Sequence, residues 1–280
     1  MLAARLLLVA SLAAPAAAGS VVLKPRSESF GLTDAIVRAL SGGARVIELT
    51  GDDLADASRL ARESKGQPVL FAVGPKSAEV AGEARGTAVV SLGVANPAQV
   101  RTPGTYISFY PRLDKVFEYL RDTLKAKAVG FVFTPSRNRE IALGFVKAGE
   151  AAGVAVIPVT VGSTGDLYRS VKPALGRVDA LLLAIGDPVT TSRESVEYVV
   201  EQAQAARKPT VGFLEGLTRE GVTLALVAPA SAMAKAASEA AQQPQTVGKK
   251  RVEVDEMQVV VSPKAAAAIG TSPEALGARR

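Results

Sequence analysis

The sequence predicts an α/β protein of two lobes, each built on a parallel sheet, and three observations carry that prediction. Apolar runs recur at residues 128–134, 154–161, 178–185 and 209–214. A short polar loop and a helix-periodic stretch separate them, as in the segment marked by Val196, Val199, Val200 and Ala203. The first half repeats the alternation with runs at 21–23, 45–49, 68–73, 87–94 and 105–109. Pro158 interrupts the second run of the later set. A proline cannot donate to a central ladder, so that strand belongs at an edge, where the order 2-1-3-4-5 places it.

Each connecting segment carries its own signal. Leu32, Ile36, Val37 and Leu40 mark a first helix, and Leu54, Ala57, Leu60 and Ala61 a second, capped by Asp52 or Asp53. Pro75 suits the first turn of a third helix. Residues 112–125 form an amphipathic helix whose Leu113, Val116, Phe117, Leu120 and Leu124 share one face. Beyond Gly221 come a strand at 222–227, an Ala-rich helix at 230–242, a Gln/Pro/Lys linker, a strand at 257–261 and a short helix at 263–269. Two successive parallel sheets of this kind make two Rossmann-like lobes.

Of the 280 residues 48% are hydrophobic and 21% charged, enough for a substantial core. The absence of cysteine and histidine excludes thiolate and imidazole metal sites, cysteine nucleophiles and imidazole-based triads, and no cofactor is expected. With 33 basic and 27 acidic residues the excess of positive charge is mild. Lys249-Lys250-Arg251, the one tight basic cluster, reads as a solvated loop, so no nucleic-acid partner is expected.

The first 18 residues have the pattern of a secretory signal. Arg5 supplies the positive charge, residues 6–12 the apolar segment, and Ala16-Ala17-Ala18 the small-residue cleavage site, which places cleavage after Ala18 and the mature protein in the periplasm.

Several stretches then combine into a resemblance. They are Val94-Ala95-Asn96-Pro97, residues 129–138 from Val129 to Asn138, and Val178-Asp179-Ala180-Leu181-Leu182-Leu183 leading to Asp187. Residues 208–213, Glu220-Gly221-Val222-Thr223-Leu224-Ala225, and Val260-Val261-Ser262-Pro263-Lys264-Ala265 with Ile269-Gly270 complete the set. In their order and spacing these pieces resemble the ABC-transporter substrate-binding proteins of the tryptophan/tyrosine-transport type, within the type I periplasmic binding proteins. The resemblance implies a bilobed, monomeric protein whose chain crosses between lobes three times. On that template the N-lobe takes residues 19–107 and 222–246, and the C-lobe 108–221 and 247–280. It also implies a small-molecule ligand held in the cleft and an ABC permease as partner. The family's asparagine near the end is Ser262 here.

The strand-end loops supply the candidate ligand site. Arg26, Lys76 and Arg137 are its cations, and Glu28, Asp187 and Glu215 its acids. Gly74, Asn96, Thr134 and Ser136 stand at the same strand ends, and Phe109 and Tyr110 at the first crossover could form an apolar wall. Helix N-termini at such a cleft suit an anion, so a small zwitterion or carboxylate fits, its acid near Ser136 or Arg137 and its cation near Asp187. Each residue also has a simpler explanation: solvated loop charge, a turn or N-cap for Asp187, a cap for Ser136, hinge packing for the aromatics. A carboxylate-based enzyme would use Asp187 with Glu215 as its acid–base pair. A receptor or sensor accessory without a permease is the remaining alternative.

Overall fold

A computed structural model describes residues 21–26, 32–40, 44–84 and 86–278. The signal-like segment, its cleavage site and Glu28 lie outside the described residues. The first lobe opens with β1 (Val21–Lys24), α1 (Leu32–Leu40), β2 (Arg45–Glu48), α2 (Asp53–Glu63), β3 (Val69–Val73), α3 (Pro75–Ala81), β4 (Ala88–Val94) and β5 (Gly104–Pro111). The chain crosses to the second lobe with α4 (Leu113–Asp122), β6 (Ala128–Phe133), α5 (Pro135–Ala152), β7 (Ala155–Thr160) and α6 (Thr164–Leu175). There follow β8 (Ala180–Leu183), α7 (Pro188–Thr191), α8 (Arg193–Ala205), β9 (Thr210–Gly212) and β10 (Leu224–Val227). It returns to the first lobe for α9 (Ala230–Gln242) and β11 (Lys249–Val254), then crosses a third time into β12 (Gln258–Val261) and α10 (Pro263–Ala268).

The two six-stranded sheets run β2-β1-β3-β4-β5-β11 and β7-β6-β8-β9-β10-β12. Each contains the expected 2-1-3-4-5 order plus one added edge strand. All pairings are parallel except β10 with β12. Helices cover both faces of each sheet, which is why the strands read as unbroken apolar runs and not as alternating ones. In β3, Leu70 and Ala72 enter one core with Leu60 and Ala78, while Val69, Phe71 and Val73 enter another with Ile36 and Met233. Pro158 lies on the edge strand β7, opposite Phe131, as the strand order requires.

Local chemistry fixes the loops between strands and helices. The Asp52 carboxylate caps α2 by accepting from the Leu54 and Ala55 amides at 3.1 Å. Buried Asp56 ties back the preceding turn by accepting from Thr50 N, Thr50 Oγ1 and Gly51 N. These donors hold its carboxyl below the usual carboxylate range, against the opposing effect of burial. Gly74 adopts φ +88° immediately before α3, a backbone conformation open to glycine, and Pro75 occupies the first helical position.

Several strands lie elsewhere than the template boundaries place them. Residues 108–111 remain in β5 of the first sheet, β10 belongs to the second sheet, and β11 to the first. The crossings therefore fall just after β5, between β10 and α9, and between β11 and β12. Pairing explains the shifts: β10 lies parallel to β9, where Thr210 and Thr223 exchange hydrogen bonds, and Val254 pairs with Pro111. Lys249-Lys250-Arg251 is correspondingly an edge strand and not a loop. Its charged residues stay exposed, while Lys249 Nζ donates to the carbonyl of Pro97 and Arg251 Nη2 donates to Ser108 Oγ.

Candidate functional site

The carboxyl ends of the strands in both sheets face an interlobe space that divides into two adjoining chambers. The first, of about 430 Å³, is walled by Leu32, Ile36, Val73 and Phe109 from the first lobe and by Ile185 and Leu214 from the second. Gly74, Lys76, Gly93, Gly186 and Thr191 supply its polar and main-chain edge. The second, of about 340 Å³, lies beside the crossing strands, over Phe213, Val227 and Met233, with Arg38, Glu215 and Arg219 among its lining. Leu32, Phe109 and Leu214 line both and form the partition.

Three of the ten expected contacts line these chambers. Gly74 and Lys76 line the first, and Glu215 the second. Lys76 is already engaged: its ammonium bonds Asp53 on α2 at 2.6 Å, which raises its pKa and neutralises the first chamber's charged side chain. Arg26 and Ser136 are exposed and line neither chamber.

The remaining five build the second lobe or join the lobes. Asp187 is wholly buried, and its carboxylate accepts from Thr134 N (2.6 Å), Thr134 Oγ1 (2.9 Å), Asn138 Nδ2 (3.2 Å) and Val189 N (3.1 Å). The cap-and-turn explanation of Asp187 is the one that matches this geometry, and no acid–base pair with exposed Glu215 is assembled. Thr134 spends its hydroxyl on Asp187, so α5 has no side-chain cap. Tyr110 is a buried peg driven from β5 into the second lobe's core, edge-on to Phe145 and Phe213 at centroid distances of 5.5 and 4.9 Å. Its hydroxyl accepts from the Ile185 amide at 3.1 Å. Of the two aromatics, only Phe109 reaches the cleft.

Asn96 and Arg137 meet across the lobes. Asn96 Nδ2 and Gln99 Nε2 both donate to the main-chain carbonyl of Arg137, while the Arg137 side chain is exposed. Asn138, non-helical at φ −125° and ψ 18°, interrupts α5 right after that carbonyl, and the Asp187 bond holds the kink.

Sequence reasoning missed Arg38, Arg219 and Met233, which reach the second chamber from helices and a turn outside the strand-end loops. One signal was available for Arg219: it stands four residues beyond the flagged Glu215.

No known family's sequence model matches the chain, and no curated protein matches it. Solved structures do. The ligand-free, open substrate-binding protein CD0873 of Clostridium difficile superposes with a TM-score of 0.67 at 17% identity, covering 91% of this chain and 95% of its own. A Streptococcus pneumoniae ABC domain in complex with L-Trp gives 0.62 at 17%, over 92% and 97%. A conserved domain protein of Vibrio cholerae gives 0.60 at 17%, over 93% and 98%. The chain thus has the two-lobed type I periplasmic-binding-protein fold.

Proposed function

We propose that this protein is an exported solute-binding protein that traps a small ligand between its lobes and delivers it to an ABC permease. The observation carrying the proposal is the interlobe space lined from both sheets: a ligand there contacts both lobes at once and favours their closure by hinge motion. The lining is apolar with a few polar groups, which suits an amino acid or carboxylate with an apolar side chain. The mechanism is binding without chemistry, with the closed form presented to the permease. The protein is assigned to the periplasm, as a monomer, on the signal pattern and the resemblance described above.

The test is a thermal-shift screen of amino acids and small carboxylates, in which a binder at a hundredfold excess over Kd adds about 2.7 kcal/mol of stability and so raises the melting temperature. A screen without any stabilising solute overturns the proposal. N-terminal sequencing of the protein recovered from the periplasm should begin at Gly19, and recovery only as an uncleaved cytoplasmic chain refutes export.

A further inference from the structure

The bridge between the lobes depends on a turn that one buried carboxylate locks at both ends. Asp187 accepts from Thr134 N and Thr134 Oγ1 at the start of that turn and from Asn138 Nδ2 at its end, with all three residues buried. Inside the turn the Thr134 carbonyl accepts from Arg137 N at 3.0 Å and from Asn138 N at 2.9 Å. Asn138 has φ −125°, which is about 60° away from the helical value. A residue's φ sets the direction of the peptide group before it relative to the chain that follows, so this rotation swings the Arg137 carbonyl with respect to the rest of α5. That carbonyl is the acceptor for Asn96 and Gln99 of the first lobe.

The same carboxylate adjoins the first chamber. Ile185 and Gly186, the two residues before Asp187, line it. A Cβ added at Gly186 would stand 3.4 Å from the Cβ of Ala95, the residue before Asn96. The lobes therefore approach one another at the chamber's edge through residues that adjoin the bridge on both sides.

We infer that Asp187 and Asn138 are the positioning residues of a latch on the first chamber: Asp187 draws Asn138 out of helical geometry and so aims the Arg137 carbonyl at the first lobe's two donors. Asn96, Gln99, Arg137 and Asn138 line neither chamber, so the latch acts on the closure of the lobes and not on an occupant directly. The inference goes beyond the solute-binding reading and does not depend on what the chamber holds.

The experiment is small-angle scattering on the intact protein, with the melting temperature as a second readout. Asn138→Ala, which leaves Asp187 its bonds from Thr134 and Val189, should raise the radius of gyration by about half or more of the increase given by Asn96→Ala/Gln99→Ala. Added to that double variant it should raise the radius no further, as expected of residues that act through one contact. If Asn138→Ala does not fold, Asn138→Ser, whose side chain ends one bond short of the asparagine amide, carries the same expectation. Gly66→Ala, in the turn between α2 and β3, should lower the melting temperature and leave the radius unchanged. A parent-like radius in the Asn138 variant, a further increase in the triple variant, or an equal increase in Gly66→Ala overturns the inference.

Discussion

The side-chain amide of Asn96, in the first lobe, donates to the main-chain carbonyl of Arg137 in the second, and Gln99 donates to the same oxygen at 2.7 Å. Two donors from one lobe thus converge on a carbonyl of the other. Each bond is worth about 0.5–1.5 kcal/mol net. The double variant Asn96→Ala/Gln99→Ala should therefore shift the population toward open forms, read as a larger radius of gyration by small-angle scattering. Gln99→Ala alone, which spares the Asn96 cap on Ala98 N, should give an intermediate value. An unchanged radius in the double variant refutes the bridge as a closing contact.

Asp187→Ala should act on stability more than on affinity. It strands buried Thr134 and Asn138 donors, at a cost of about 3 kcal/mol or more in total. A urea midpoint close to that of the parent protein would contradict the structural role assigned to this carboxylate.

The buried tyrosines predict an alkaline transition. Burial pushes the Tyr106 and Tyr110 hydroxyls from 10.0 to about 12 in the folded state. Because these folded-state values are raised, the stabilisation is complete below pH 10 and is lost as pH rises toward 12, by roughly 2 kcal/mol for fully enclosed Tyr110 and by less for Tyr106, whose hydroxyl solvent screens more. Denaturant midpoints measured across that interval should fall, and Tyr110→Phe should flatten the fall. A flat profile in the parent protein would show that neither hydroxyl is shielded as described.

Gly104 separates backbone strain from steric clash. At φ +142° an added Cβ would stand 2.3 Å from the Val89 carbonyl oxygen, within the β4–β5 pairing. Gly104→Ala should cost about 2 kcal/mol or more, whereas Gly66→Ala, at φ +79° with open space around it, should cost only about 1 kcal/mol. Equal losses of melting temperature would contradict the close approach.

Much of the fold was legible because strands buried on both faces leave an apolar signature and Pro158 could be assigned to an edge by its missing donor. The signature reports burial but not the partner, so the sheet that receives residues 224–227 could not be read from Leu224-Ala225-Leu226-Val227 alone. β11 escaped because Lys249, Lys250 and Arg251 face solvent and only Val254 of that strand is fully buried. The site was less legible still. Asp187 stands in a strand-end loop, as ligand contacts do, yet its partners Thr134 and Asn138 are about fifty residues away, which no local pattern encodes. Arg38 projects from a helix whose sequence signal was its apolar face.

The late position of β11 has a consequence for biogenesis. The first sheet receives its sixth strand from residues 249–254, after the second lobe's strands β6 to β10 have been synthesised. Pairings so distant along the chain are slow to form. A nascent polypeptide of this topology leaves the outer edge of β5 unpaired until translation has passed that point.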